Sequence, residues 1–165
     1  MSATHTENRL LQQYAKLAGL PFGKKLFSLA LCQQAPYFSS IAPRFETLEK
    51  GLVVVGMPER RAVHNHIGTV HALAMGNLCE LAAGTMMEAS LPRTHRWIPK
   101  GMDIQYLAKA ESDLVARCAW TLVVSDVGEE VPVVVSVTDR AGTEVVRATI
   151  RMWVSPKRVT EARAA

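Results

Sequence analysis

Aromatic residues are scarce in this chain, at 6% of 165 residues, so short aliphatics and methionine must fill most of its core. Cysteine is scarcer: Cys32, Cys79 and Cys118 are odd in number, far apart and set in apolar surroundings. No pair has metal-ligand or redox spacing, which excludes a disulfide framework and a zinc ribbon and points to buried free thiols in a reducing compartment. No apolar run approaches the roughly 18–20 residues needed to span a bilayer. The patch 26–32 after Lys24-Lys25 is interrupted by Ser28 and too short for a secretory h-region. Internal repeats, low-complexity segments and dividing linkers are also missing. A cytoplasmic protein of one structural domain is expected, with neither a membrane nor nucleic acid as partner. The net charge of +4 is mild. Lysine and arginine are dense only at Lys24-Lys25, Arg60-Arg61 and the tail with Lys157, Arg158 and Arg163, a pattern that fits an anionic small ligand better than a nucleic-acid face.

What is present is patterned. Leu10, Leu11, Tyr14, Leu17 and Ala18 recur at helical spacing, with Gly19 as a stop, and 24–33 forms a second amphipathic segment. Pro36 and Pro43 flank a change to extended structure. The stretches 45–48 and 52–57 read as a hairpin around Glu49-Lys50-Gly51, its second arm carrying Val53-Val54-Val55. One long helix is predicted over 72–89, ended by Ser90-Leu91-Pro92. Downstream, 102–108, 113–124, 131–138 and 143–154 read as strands. Leu114, Ala116, Cys118, Trp120 and Leu122 share one face, and Gly142 supplies the last turn. The last three strands make an antiparallel meander. The class is α+β: one curved antiparallel sheet wrapped around one central helix, with extra N-terminal helices. We divide the chain into a helical extension (1–35), the main domain (36–156) and a basic tail (157–165). The extension has three candidate roles: covering the sheet's convex face, lidding a ligand pocket or widening an oligomer interface.

The stretch His64-Asn65-His66-Ile67-Gly68-Thr69-Val70-His71 passes straight into this helix. Nine residues beyond His71 the helix carries Glu80 among small and apolar neighbours, where an unpaired charge is expensive. At 100° per residue, Met75, Leu78, Leu81, Ala82 and Met86 face the sheet. Glu80 then points the other way, with Gly76, Asn77, Ala83 and Gly84 beside it, small enough to admit a ligand. Free N–H groups at the helix start favour developing negative charge, and an oxyanion site near a carboxylate suits attack on an acyl carbonyl. His64, His66 and His71 lack a second ligand cluster, so no metal is expected. Arg60 and Arg61 have the geometry for phosphate oxygens, or are a solvated strand end. Tyr106 lines an acyl tunnel or is ordinary surface, and Trp97, Trp120 and Trp153 belong to core or interface.

Asn65, Gly68, His71 and Glu80 resemble the Asn-x-x-Gly-x-x-His-Gly-Gly pattern, with an acid nine residues after the His, of the hot-dog-fold acyl-CoA thioesterase superfamily. The likeness is to the phenylacetate-pathway and hydroxybenzoyl-CoA thioesterases, and it covers about 36–156. Residues 96–102 and 106–110 resemble an uncharacterised bacterial branch in particular. The resemblance implies a hot-dog fold and hydrolysis of acyl-CoA or a related acyl thioester. Glu80 would be nucleophile or general base, and the Ala72 N–H the oxyanion donor. Asn65 and His71 would orient the carbonyl or a water, or hold the loop. Gly68, Gly76, Asn77, Arg60, Arg61 and Tyr106 would line the substrate site. No cofactor is implied beyond the coenzyme A of the substrate. Acid and oxyanion donor would come from different subunits, implying a homodimer or tetramer. Ala72-Leu73 replaces the usual Gly-Gly, and Leu73 fills space that the second glycine leaves open. A non-catalytic protein that binds acyl-CoA or lipid is therefore the second reading. A hydratase is the third, though the loop lacks an Asp-x-Asn-Pro-x-x-His signature.

Overall fold

A computed structural model describes residues 8–121 and 124–157. Within them, α1 (Arg9–Ala18) and α2 (Gly23–Gln34) precede a short 3-10 turn, Pro36–Ile41. The hairpin β1 (Arg44–Glu49) and β2 (Leu52–Met57) follows, then a 3-10 turn at Arg61–Val63 and the long α3 (Ala72–Ser90). β3 (His95–Tyr106), β4 (Leu114–Ala119), β5 (Glu129–Thr138) and β6 (Glu144–Pro156) complete the sheet. The six strands lie in the order β1-β2-β4-β5-β6-β3, with every neighbouring pair antiparallel. The predicted meander is β4-β5-β6. The expected strand at 102 starts earlier, at His95, because a register shift between Pro99 and Gly101 admits a proline that alternation alone would reject. The expected strand to 124 stops at Ala119. Leu122 lies outside the described residues, as do the N-terminal seven residues and the tail's Arg158 and Arg163.

The sheet curls around α3. Val53, Val55, Leu114, Ala116, Val133, Val135, Ala148 and Ile150 alternate inward along four strands and are buried against the helix. The convex face is open and mixed: Arg117, Arg147 and Arg151 are exposed there beside Val134 and Trp153, Arg151 pairing with Glu130 at 3.3 Å. The N-terminal helices therefore do not cover that face. They pack against β1, where Tyr14, Phe27 and Phe45 stack edge to face at centroid distances of 5.1 and 5.2 Å.

Their polar groups also satisfy two backbone groups on the free edge of β1. Ser28 Oγ accepts the Phe45 N–H at 3.1 Å. Tyr14 Oη and Lys24 Nζ donate to the Glu46 carbonyl at 2.8 and 2.6 Å. The opposite edge, β3, has no such cover among the described residues. It exposes Ile98 and Met102, and an edge of unpaired backbone groups is a template for another strand. No helix among the described residues is long and apolar enough to cross a membrane.

Cys32, Cys79 and Cys118 are free and buried, as expected. Burial, with Cys118 nearby, pushes the Cys79 thiol up to about 12, and burial alone does the same for Cys118. Both thiols hold their protons more tightly folded than unfolded. Their contribution to stability is thus intact below the ordinary 9.0 and falls as pH rises from there towards 12. Labelling with iodoacetamide at pH 8 should modify Cys79 and Cys118 only once urea unfolds the protein; native-state labelling at the rate of a free thiol contradicts this burial. Ser28→Ala strands the buried Phe45 N–H and should lower the unfolding free energy by about 1–3 kcal/mol in a urea titration.

Candidate active site on α3

The loop entering α3 is held by its own side chains. Asn65 Oδ1 accepts the N–H groups of Ile67 and Thr69, both at 3.1 Å, and Asn65 Nδ2 donates to Thr69 Oγ1 at 2.8 Å. Gly68 stands at φ +82, the left-handed region that this tight return needs. The Val70 N–H reaches the Ala110 carbonyl at 2.9 Å and the His71 N–H reaches Val63 at 2.8 Å, fastening the loop at both sides. His64 pairs with Glu59 outside the loop's turn.

His71 is the N-cap of α3: its Nδ1 accepts the Leu73 N–H at 3.0 Å. An accepting Nδ1 carries no proton, so the neutral ring holds its hydrogen on Nε2. Of the two roles open to Asn65 and His71, holding the loop is the one this geometry fills. Ala74 and Met75 donate to the His71 carbonyl at 3.0 and 3.2 Å. The Ala72 N–H is left without a partner among the described residues. Tyr106 Oη, from the end of β3, donates to the Ala72 carbonyl at 3.2 Å, which brings the predicted tyrosine to the helix start.

The expectation of a two-faced helix is corrected here. From Met75 to Ser90, every residue of α3 is buried except Glu80 and Glu88. Glu80 does not point away from the sheet but lies on the flank that the curling sheet reaches with β3. A Cβ on Gly76, one turn before it, would sit 3.1 Å from Ile104 Cδ1. A Cβ on Gly84, one turn after it, would sit 3.0 Å from the Trp97 ring. The small residues thus admit β3 side chains. Glu88, on the same flank, accepts the Trp97 Nε1–H at 3.1 Å. Glu80 is half-buried and has no hydrogen bond or ion pair among the described residues.

A second polar group sits one turn from Glu80. Asn77 is buried and donates from Nδ2 to Ser40 Oγ at 3.0 Å, while its Oδ1 has no partner. Arg60 donates from Nη2 to the Ser40 carbonyl at 2.5 Å, and its Nε is likewise buried without a partner. Arg60 and Asn77 are therefore brought together through Ser40, a residue 20 and 37 positions away in the chain that no sequence pattern marks. Arg61 is exposed and free of polar partners among the described residues. No group of three or more His, Cys, Asp or Glu with metal-binding geometry occurs among the described residues. Leu73 does not fill space within the protomer; the residue is 70% exposed.

Residues 23–154 match the family model described as a domain of unknown function, DUF4442. No curated protein matches the chain. A crystal structure described only as genomics APC5556 is 43% identical, covering 90% of this chain and 99% of its own, with a TM-score of 0.79. PA5026 from Pseudomonas aeruginosa, described as a protein of unknown function and probable thioesterase, is 20% identical over 84% of this chain and 97% of its own, at a TM-score of 0.71. The thioesterase HI1161 from Haemophilus influenzae is 12% identical over 82% and 91%, at 0.68. The architecture is the hot-dog fold of the thioesterase-family proteins.

Proposed function

The chain belongs to the family described as domain of unknown function DUF4442, and from its hot-dog fold and the acid on α3 we propose that it hydrolyses acyl thioesters, with acyl-CoA as the substrate class. The observation that carries this reading is Glu80: half-buried, unpaired among the described residues, and on a flank where the other acid, Glu88, is already engaged. A carboxylate kept without a partner in a partly dry place is available to take a proton. In the proposed step, water attacks the acyl carbonyl carbon while passing a proton to Glu80. The carbonyl oxygen gathers charge against the Ala72 N–H at the helix start. The carbon–sulfur bond then breaks, and the departing thiolate recovers the proton, giving the carboxylic acid and free thiol. In this reading the exposed Arg61 side chain meets coenzyme A phosphates, while His71 keeps to its place as the helix cap.

One protomer does not arrange these groups around one carbonyl. Ala72 and Glu80 are eight residues apart, about 12 Å along the axis and about 80° around it. Ile104 fills the intervening turn at Gly76. Acid and oxyanion donor are therefore assigned to different copies of the chain, joined through the bare β3 edge as a homodimer. Leu73 supports a second reading, in which its projecting side chain keeps a carbonyl from the Ala72 N–H and the protein binds acyl-CoA without cleaving it.

Thiol release from a series of acyl-CoA esters separates the two readings, since binding without release at every chain length favours the second. Glu80→Gln should lower turnover about 10²–10⁴-fold with fold and assembly unchanged; wild-type rates in this variant defeat the mechanism. Ile98→Lys, on the exposed edge of β3, should yield monomers in sedimentation and lose activity although Glu80 and Ala72 remain. An active wild-type monomer overturns the shared site.

A further inference from the structure

The hairpin of helices at the N-terminal end carries features that neither the fold nor the proposed hydrolysis uses. Between Asn8 and Phe45 the sequence has no aspartate or glutamate, but contains Arg9, Lys16, Lys24, Lys25 and Arg44. These five positive charges exceed the +4 of the whole chain. On the same structure, Leu20, Phe22, Leu26 and Leu29 are each half or more exposed, and Phe22 is 82% exposed. Leu26 and Leu29 lie one turn apart on α2, and Phe22 and Leu20 stand exposed at the tip just before it.

The backbone at the tip singles out Phe22. Gly23 packs so tightly on α1 that a Cβ there would lie 1.6 Å from the Leu17 carbonyl oxygen. This close turn holds Phe22 at φ 60, ψ 9, in the left-handed region. Glycine or asparagine takes that conformation cheaply; a phenylalanine is a genuine outlier. Its ring buries almost nothing in return. Folding stability therefore does not account for an aromatic at this position. Lys24 and Lys25 follow directly, and Lys16 lies on the preceding helix, all exposed. The first acids beyond this region, Glu46 and Glu49, lie on β1 near Tyr14.

We propose that the α1–α2 tip docks on an anionic lipid surface, with Phe22 and Leu20 entering the headgroup boundary and Lys16 and Lys25 meeting lipid phosphates. Aliphatic and aromatic side chains ringed by lysine match such a surface in both chemistry and charge. A second copy of this hairpin would bring like charges together. Nucleic acid would leave the leucines without a partner. The sequence reading excluded a membrane because no segment spans one; lying on the surface needs no spanning segment. The inference does not depend on the hydrolase reading.

The full-length protein is floated with vesicles of phosphatidylcholine alone or with 30% phosphatidylglycerol, a composition chosen on the order of that of anionic bacterial leaflets. Binding is expected to the anionic vesicles only and to weaken as salt rises. Phe22→Ser and Lys25→Glu should each reduce the partition coefficient at least tenfold (roughly 1.4 kcal/mol) with unchanged thermal unfolding, because both side chains are exposed. Absence of binding to anionic vesicles at low salt overturns the proposal, as does binding that survives Phe22→Ser. Self-association, or capture of an oligonucleotide, that is lost in these variants while vesicles are ignored assigns the tip to that partner and overturns it too.

Discussion

Nearly everything in this molecule follows from the decision to bury one helix almost all round. A helix satisfies its own backbone hydrogen bonds, so it enters a core without stranding polar groups, provided its side chains are apolar and small enough for the sheet to close on it. α3 meets that condition with alanine, methionine, leucine and glycine, and the antiparallel sheet curls until β3 touches its flank at Gly76 and Gly84. Two glutamates interrupt this apolar cylinder on one flank. Glu88 is answered by Trp97, and Glu80 by nothing on its own protomer among the described residues. The chemistry proposed for the protein depends on that difference between two otherwise similar acids.

Much of the architecture was legible from pattern. The Val53-Val54-Val55 arm, the Gly51 turn, the proline that ends α3 and the alternating strands of the meander are local signals, and the structure realises each. Illegible parts were those fixed by long-range geometry. A helical wheel assumes a flat surface on one side, so it set Glu80 opposite the sheet; curvature brings β3 to that side instead. Pro99 hid the first half of β3, since an edge strand tolerates a proline that a central strand would not. Ser40 carries no motif, yet it is where Arg60 and Asn77 meet.

The site was legible in its spacing and less so in its roles. Asn65 and His71 fall in the loop where the resemblance put them, but Asn65 Oδ1 is occupied in shaping the turn and His71 Nδ1 in capping the helix. A motif reports which residues must coexist without saying whether each touches a substrate or only supports one that does. Tyr106, chosen on weaker grounds, lies at the helix start through its bond to Ala72.

The unequal margins of the sheet set a limit on growth. Two outward backbone groups of β1, the Phe45 N–H and the Glu46 carbonyl, are answered from within the chain by Ser28, Tyr14 and Lys24, whereas β3 has none so answered among the described residues. A strand ladder joined at β3 would use up the bare rim of both participants at once and leave outward the rims that the N-terminal helices flank. Such an assembly would stop at two along the sheet, where a sheet open on both sides would go on adding copies into a fibre.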